Sequence, residues 1–542
     1  MICLVNFVFS HELNPLPTIS QGRMMFRLNF RQHRWAYFFC SVSAIGALVY
    51  GYDNTYYNGC LAMVRFKNDY GDHLDSNGRK ALNVSFTSVT TSSIYIGDII
   101  GALLSAPIND RFGRKTTFWC ASFCILAGGI VQVADTGYEV VLAVGRVLIG
   151  VGMGQCTVTS LLYIGEVAPV HIRGPALMMF QFLQSIAQLV AAGITQGTEG
   201  LTSKASYKVP MGGLVVLPIM LMLGLPFIPE SPVWYVSKGR TDEAKRALER
   251  IHTGDDTYEP SQDLATLTEA RDRKLESLAG SSWKSLLLDP VERKKVIFSA
   301  GALYSQQICG ILFFYAYGVV FAQAIGISQP FIIQLITNIL QIFAVGAAVL
   351  TGNKVQRRNN LLLTTGMMFL AFVVIGGIGT QRTLTTASQY VIVVFSYVII
   401  VAFNYGLGPL AYTVAREMAV GPNQNKIMSF SIVFFYLTTW AVSFTAPYMY
   451  YSAGWGPMLG FFYAGTTLTS LAWVWFCVGE TTDRSTLEIS LFFEQGIPVR
   501  LWKTHVFSPS EVPSESPREA CLKGAKEGSL QGDGLCTTVE HV

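Results

Sequence analysis

The sequence predicts an all-α polytopic membrane protein with twelve transmembrane helices in two six-helix halves. Three observations carry that expectation. Of 542 residues, 51% are hydrophobic and only 14% are charged, with a mean hydropathy of +0.39. A soluble domain carries nearer a quarter charged residues, so much of this surface must face lipid. Crossing about 30 Å of hydrocarbon takes roughly 20 apolar residues, and twelve stretches of that kind fall into two sets of six around a polar segment. Charged motifs recur at matched positions in the two sets.

Residues 1–34 form an N-terminal segment. Met1–Phe9 is apolar, but no basic residue precedes it and polar sequence follows, which makes a poor signal peptide. Met24 or Met25 offers an alternative start. The first half, 35–228, holds spans near 35–60, 90–109, 117–136, 139–163, 175–195 and 209–228. A polar linker occupies 229–295, where Thr241 and the acidic turn after it read as an N-cap and predict short amphipathic helices. The second half, 296–478, holds spans near 296–321, 330–351, 361–379, 388–412, 429–450 and 456–478. Residues 479–542 form a tail that is expected to be largely disordered after about Phe493, where Ser, Pro, Gly and charge are scattered.

Orientation follows from basic residues, which favour the cytoplasmic side. Arg23, Arg27, Arg31 and Arg34 precede the first span, Arg111, Arg114 and Lys115 follow the second, and Lys354, Arg357 and Arg358 follow the eighth. Arg65, Lys67, Arg79 and Lys80 on the other side soften the contrast. Both termini are expected in the cytoplasm, with the protein a monomer in the plasma membrane. Asn83-Val-Ser is then an outer glycosylation candidate close to the second span. Net charge is +4, in clusters between apolar runs, which gives no reason to invoke nucleic acid. The ten cysteines lack metal or disulfide spacing. Neither a nucleophile–base pair, a metal cluster nor a phosphate loop is evident, so no enzyme, metal or cofactor is expected.

The motifs between these spans resemble a known family. Asp110-Arg-Phe-Gly-Arg-Lys resembles the cytoplasmic loop signature of the major facilitator superfamily. Gly145-Arg-Val-Leu-Ile-Gly, Tyr163-Ile-Gly-Glu-Val-Ala-Pro, Pro229-Glu-Ser-Pro, Gln306-Gln-Ile-Cys-Gly and Glu480-Thr-Thr-Asp-Arg-Ser resemble signatures of its sugar porters. The resemblance spans about Trp35 to Phe493 and implies the major facilitator fold. Glu166 and Glu230 lie 64 residues apart, Glu417 and Glu480 lie 63 apart, and such repeats place a substrate site at their interface. Asp110, Arg111, Arg114, Glu166, Arg173, Glu230, Arg357, Glu417 and Glu480 are expected to form cytoplasmic gate ion pairs that break as the protein opens inward. Ala106, Leu161, Val233, Asn353, Gln356 and Gln424 depart from the family pattern, which predicts a thinner ion-pair network in the second half.

A sugar site needs side-chain amides, which donate and accept at once. Gln181, Gln184 and Gln188 fall at i, i+3 and i+7, on one helix face. By resemblance Gln181, Gln306, Gln307, Asn404 and Tyr412 bind substrate. The competing reading of these amides is interhelical hydrogen bonding. Tyr412 stands where hexose carriers have Trp, and Leu312 where an Asn is usual. Gly-Pro-Leu-Ala-Tyr-Thr-Val, ending at Val414, and Ala446-Pro-Tyr-Met look more like fungal α-glucoside permeases. Asp53 and Arg146 reach similar depth in their spans and are expected to pair, and by resemblance an acid at this position marks proton symporters, with a permanent structural ion pair as the alternative. Asp98 is a second in-span carboxylate, either neutral and bonded to Ser92 or Ser93 or a second proton site. The expected function is proton-coupled transport of a sugar-like polyhydroxy solute by alternating access. A non-sugar metabolite carrier and a non-transporting nutrient sensor are the rivals.

Overall fold

A computed structural model describes residues 33–507 except 75–77, 79, 135–136, 169, 255–257, 279–282, 352–354, 382, 422, 483, 485 and 506. Ten helices in it are long and apolar enough to cross a membrane by length and composition. Val170–Thr198 and Leu459–Cys477 complete a bundle of twelve as its fifth and twelfth members. Large apolar side chains such as Phe343, Leu363 and Leu223 stay about two-thirds exposed or more on this bundle. Only lipid makes such a surface favourable.

The bundle repeats itself. In the first half the first span packs on the fifth, the second on the fourth, the third on the sixth and the third on the fourth. In the second half the seventh packs on the eleventh, the eighth on the tenth, the ninth on the twelfth and the ninth on the tenth. Each pairing recurs six helices later. Between the halves the second span meets the eleventh, the fifth meets the eighth, and the first meets the seventh. The tightest pair rests on glycine. A Cβ at Gly97 or Gly101 of the second span (Val84–Phe112) would overlap backbone at Val147 or Val151 of the fourth (Glu139–Val167).

Two long spans are broken where their sequence allows it. The seventh runs Pro290–Ile308, turns at left-handed Gly310 (φ 83°), and resumes as Ile311–Ala324. The tenth runs Thr386–Tyr405 and resumes as Leu407–Met418, so the bend expected from Gly406, Gly408 and Pro409 is present. Helix breaks in a membrane are tolerated where they line protein or a cavity rather than lipid. In the linker Pro232–Ser237, Thr241–Ile251, Pro260–Leu278 and Trp283–Leu288 are helical. Ala244, Ala247, Leu248 and Ile251 give the second of these one buried face, and its N-cap is Arg240 rather than Thr241. The tail departs from expectation: Thr486–Glu494 is helical and the chain folds back through Phe507. Trp502 is buried there, stacked on Phe492 and pressed against Gly479, because Arg484 donates to the carbonyls of Trp502 and His505.

Candidate functional site between the two halves

The charged pair forms. Arg146 Nη1 stands 3.6 Å from Asp53 Oδ1, and both side chains are buried. That distance exceeds a hydrogen bond, and the guanidinium carbon also lies 3.9 Å from the Tyr57 ring centroid. Arg146 is thus held by an aromatic face as well as a carboxylate, so it keeps a partner if Asp53 is neutralised.

The expected amides divide by what they touch. Gln306 Nε2 donates to the Gly408 carbonyl at the tenth-span break, 2.5 Å away, while its Oε1 is buried without a partner. Gln307 is buried beside it in sequence. Asn404 Nδ2 donates to Tyr315 Oη and to the Ile400 carbonyl. Gln306 and Asn404 thus bond between and along helices, and of the two only Gln306 shows an unpartnered amide atom. Gln181 and Gln184 are half-buried, whereas Gln188 is buried and accepts from Gln341. Tyr412 is 41% exposed, yet its ring lies 5.6 Å from Phe435 and within electrostatic reach of Tyr50 and Asp98. Leu312 is buried and apolar.

The eighth span (Pro330–Thr351) carries residues that the sequence reading missed. Gln334, Thr337, Asn338 and Gln341 are all buried on one face. Gln334 accepts from Asn58 of the first span, and Gln341 donates to Ser185 of the fifth. Asn338, between them, is buried with neither amide atom partnered. The signal was available, since the four residues follow the same i, i+3, i+4, i+7 rule that drew attention to the fifth span.

The end of the bundle opposite the linker is closed by cross-half bonds. Asn58 donates to the Tyr315 carbonyl and accepts from Val319 N, and Lys67 and the Ala62 carbonyl both bond Gln323. Asn83 is exposed at the N-cap of the second span, accepting from Ser85 N and donating to Asp72. Hydrogen bonds from His73 first and then Asn83 hold the Asp72 carboxyl below its usual range.

At the end of the bundle that carries the linker, the ion pairs stay within each half. Arg114 grips Glu166 through Nε (2.9 Å) and Nη2 (2.6 Å), while Glu230 accepts from the backbone of Arg114 and Lys115. Its twin is Arg357 on Glu417, with Glu480 accepting from the backbone of Arg357 and Arg358. Among the described residues no pair bridges the halves, so these groups lock helix ends inside a half rather than clasp one half to the other. Among the described residues each half shows one such Arg–Glu pair, and in the second Thr481 bonds both Arg357 and Glu417. Asp110 and Arg111 are exposed and stand apart from the cluster, with Arg111 over the Phe112 ring. The Arg173 side chain, Asn353, Lys354, residues 1–32 and residues 508–542 lie outside the described residues.

Twelve helices in two repeated halves, with buried amides meeting where the halves join, define a multi-pass membrane transporter of the major facilitator class rather than an enzyme. The chain belongs to the sugar (and other) transporter family, whose model matches residues 39–493. It is 27% identical over 479 residues to the probable glucose transporter rco-3 of Neurospora crassa, covering 86% of this chain and 80% of the relative. It is 24% identical to the hexose transporter HXT10 of Saccharomyces cerevisiae, covering 88% of each. It is 25% identical to sugar transport protein 10 of Arabidopsis thaliana, covering 88% of this chain and 92% of that protein. Its fold matches the inward-open xylose transporter XylE of E. coli with a TM-score of 0.69 at 18% identity, over 84% of this chain and 99% of XylE. It matches XylE bound to 6-bromo-6-deoxy-D-glucose with a TM-score of 0.68 at 19% identity, over 85% and 100%.

Proposed function

We propose that the protein carries a sugar across the plasma membrane by alternating access, driven by a proton. The observation that carries the sugar is that, among the unpartnered buried amide atoms, Gln306 Oε1, Gln341 Oε1 and both atoms of Asn338 belong to the seventh and eighth spans, which meet the first half. A buried amide left unpaired costs about 1–3 kcal/mol, and ring hydroxyls, which donate and accept, relieve that cost. The named relatives carry glucose or hexoses by their descriptions, which supports the class. Leu312 and Tyr412 remove contacts expected around a monosaccharide, so disaccharides and polyols belong in the same test. Counterflow in proteoliposomes with radiolabelled hexoses, maltose, polyols and organic acids decides it. The reading fails if an organic acid exchanges and no sugar does.

The proton is assigned to Asp53. Burial disfavours its charge, Arg146 favours it, and a change of spacing between conformations tips the balance. Asp53→Asn imitates the protonated form, so it is expected to abolish accumulation against a gradient at acid outside pH while sparing counterflow at equal pH. Accumulation by that variant overturns the assignment. A wild type that exchanges but never accumulates is a facilitator, and the pair is structural.

A further inference from the structure

The buried carboxylate that the Asp53–Arg146 pair does not use is Asp98, in the middle of the second span. It is 0% exposed, and neither carboxylate oxygen has a hydrogen-bond partner among the described residues. Ser93, one of the two expected partners, donates instead to the Thr90 carbonyl of its own helix. A Cβ at Gly154 of the fourth span would overlap the Asp98 carbonyl, so the backbone is fixed there by glycine contact. The second span also packs on the eleventh, across the junction of the halves.

The charged groups acting on Asp98 are Asp53 of the first span and Arg146 of the fourth. Arg146 is already engaged by Asp53 and the Tyr57 ring. Asp98 in turn acts on four hydroxyls: Tyr50 of the first span, Tyr95 of its own helix, Tyr412 of the tenth and Tyr436 of the eleventh. The third span and the turn at Tyr448–Ser452 also touch this helix, and neither supplies a charged group that acts on Asp98. A carboxylate without a cation or donor of its own is not sustained as an ion in such surroundings; it takes up a proton.

We propose that Asp98 is a second proton-binding site, loaded from the outer solution before the outer side closes and emptied to the cytoplasm once the halves part. The proton adds to the carboxylate to give the neutral acid, and passes to water that reaches it as the second and eleventh spans separate. Asp98 carries no partner in the closed state for a simple reason: its interface must come apart in each cycle, and a strong bond there would hold it shut. The proposal extends the proton-coupled reading above and is tested apart from it.

The test is infrared spectroscopy of the purified full chain alongside counterflow at equal pH on both sides. Wild type is expected to show a protonated-carboxyl stretch that shifts in heavy water, is lost in Asp98→Asn and persists in Asp53→Asn. Wild-type counterflow is expected to change with pH, and Asp98→Asn to flatten that profile. A band that survives Asp98→Asn overturns the proposal. So does a band that is lost while the counterflow profile is unchanged, because the proton is then permanent. If Asp98→Asn does not reach the membrane, Asp98→Glu decides: it displaces the band if Asp98 is the source and leaves it in place if not. Failure of wild type to accumulate solute removes the coupling role of Asp53 and leaves these two signals to judge Asp98.

Discussion

At the level of single residues, what matters is which polar atoms have spare hydrogen-bonding capacity. Gln306 gives its amide nitrogen to Gly408 and keeps its oxygen free, while Asn338 keeps both atoms free. Truncating either removes a group from the solute, which leaves sugar hydroxyls unpaired at about 1–3 kcal/mol, or roughly 5–150-fold in affinity. Asn338→Ala is expected to weaken solute binding without loss of thermal stability, because it breaks no internal bond. Gln306→Ala is expected to weaken binding and to lower the melting temperature as well, because it also releases the Gly408 carbonyl. Equilibrium binding and thermal unfolding of the two purified variants check both statements. Wild-type affinity in Asn338→Ala removes the eighth span from the site. The sequence made Gln306 legible through a motif, whereas Asn338 needed only periodicity on a helix whose apolar neighbours drew the eye. Which amide atom is free was not legible, because it depends on a neighbouring helix a hundred or more residues away in the chain.

At the level of elements, the first and seventh spans close the end of the bundle opposite the linker. Asn58 sits at its centre, bonded to the Tyr315 carbonyl, Val319 N and Gln334. Asn58→Leu keeps the number of side-chain heavy atoms and removes all three bonds, which costs the closed form about 1–3 kcal/mol. The expected outcome is a larger outward-open population, read as faster reaction of Cys60 with an impermeant thiol reagent, since Cys60 is fully buried two residues further along the first span. An unchanged rate means that the closure is held elsewhere. Breaks in helices were legible where Gly and Pro cluster, as at Gly406–Pro409. The break at Gly310 was not, because one glycine after Gln306-Gln-Ile-Cys reads as a continuous helix until its positive φ is seen. The folded segment before Phe507 escaped for a related reason: its polar composition hides one Trp and one Arg that find their partners only in three dimensions.

At the level of the whole molecule, duplication makes paired predictions possible. Arg114–Glu166 and Arg357–Glu417 occupy matched positions, each beside a carboxylate that caps the next helix. Glu166→Gln and Glu417→Gln are each expected to lower the melting temperature, by the equivalent of about 1–3 kcal/mol for a hydrogen bond to a charged group. Glu166→Gln is expected to cost more, since its side chain is 11% exposed against 25% for Glu417. Thermal unfolding checks the order, and a neutral Glu417→Gln means that Thr481 and Glu480 alone hold the second cluster. The sequence by itself determined the twelve spans, the repeat and the residue types that meet between the halves, because length, hydropathy and motif spacing are local properties of a chain in lipid. Only the tertiary structure decided that the Arg–Glu pairs at the helix ends close within each half, that Asp53 meets Arg146 while Asp98 has no hydrogen-bond partner among the described residues, and that the eighth span brings four buried polar side chains to the junction of the halves. Each of those outcomes turns on distances of a few ångströms between helices, and no pattern along one helix encodes the packing that sets them.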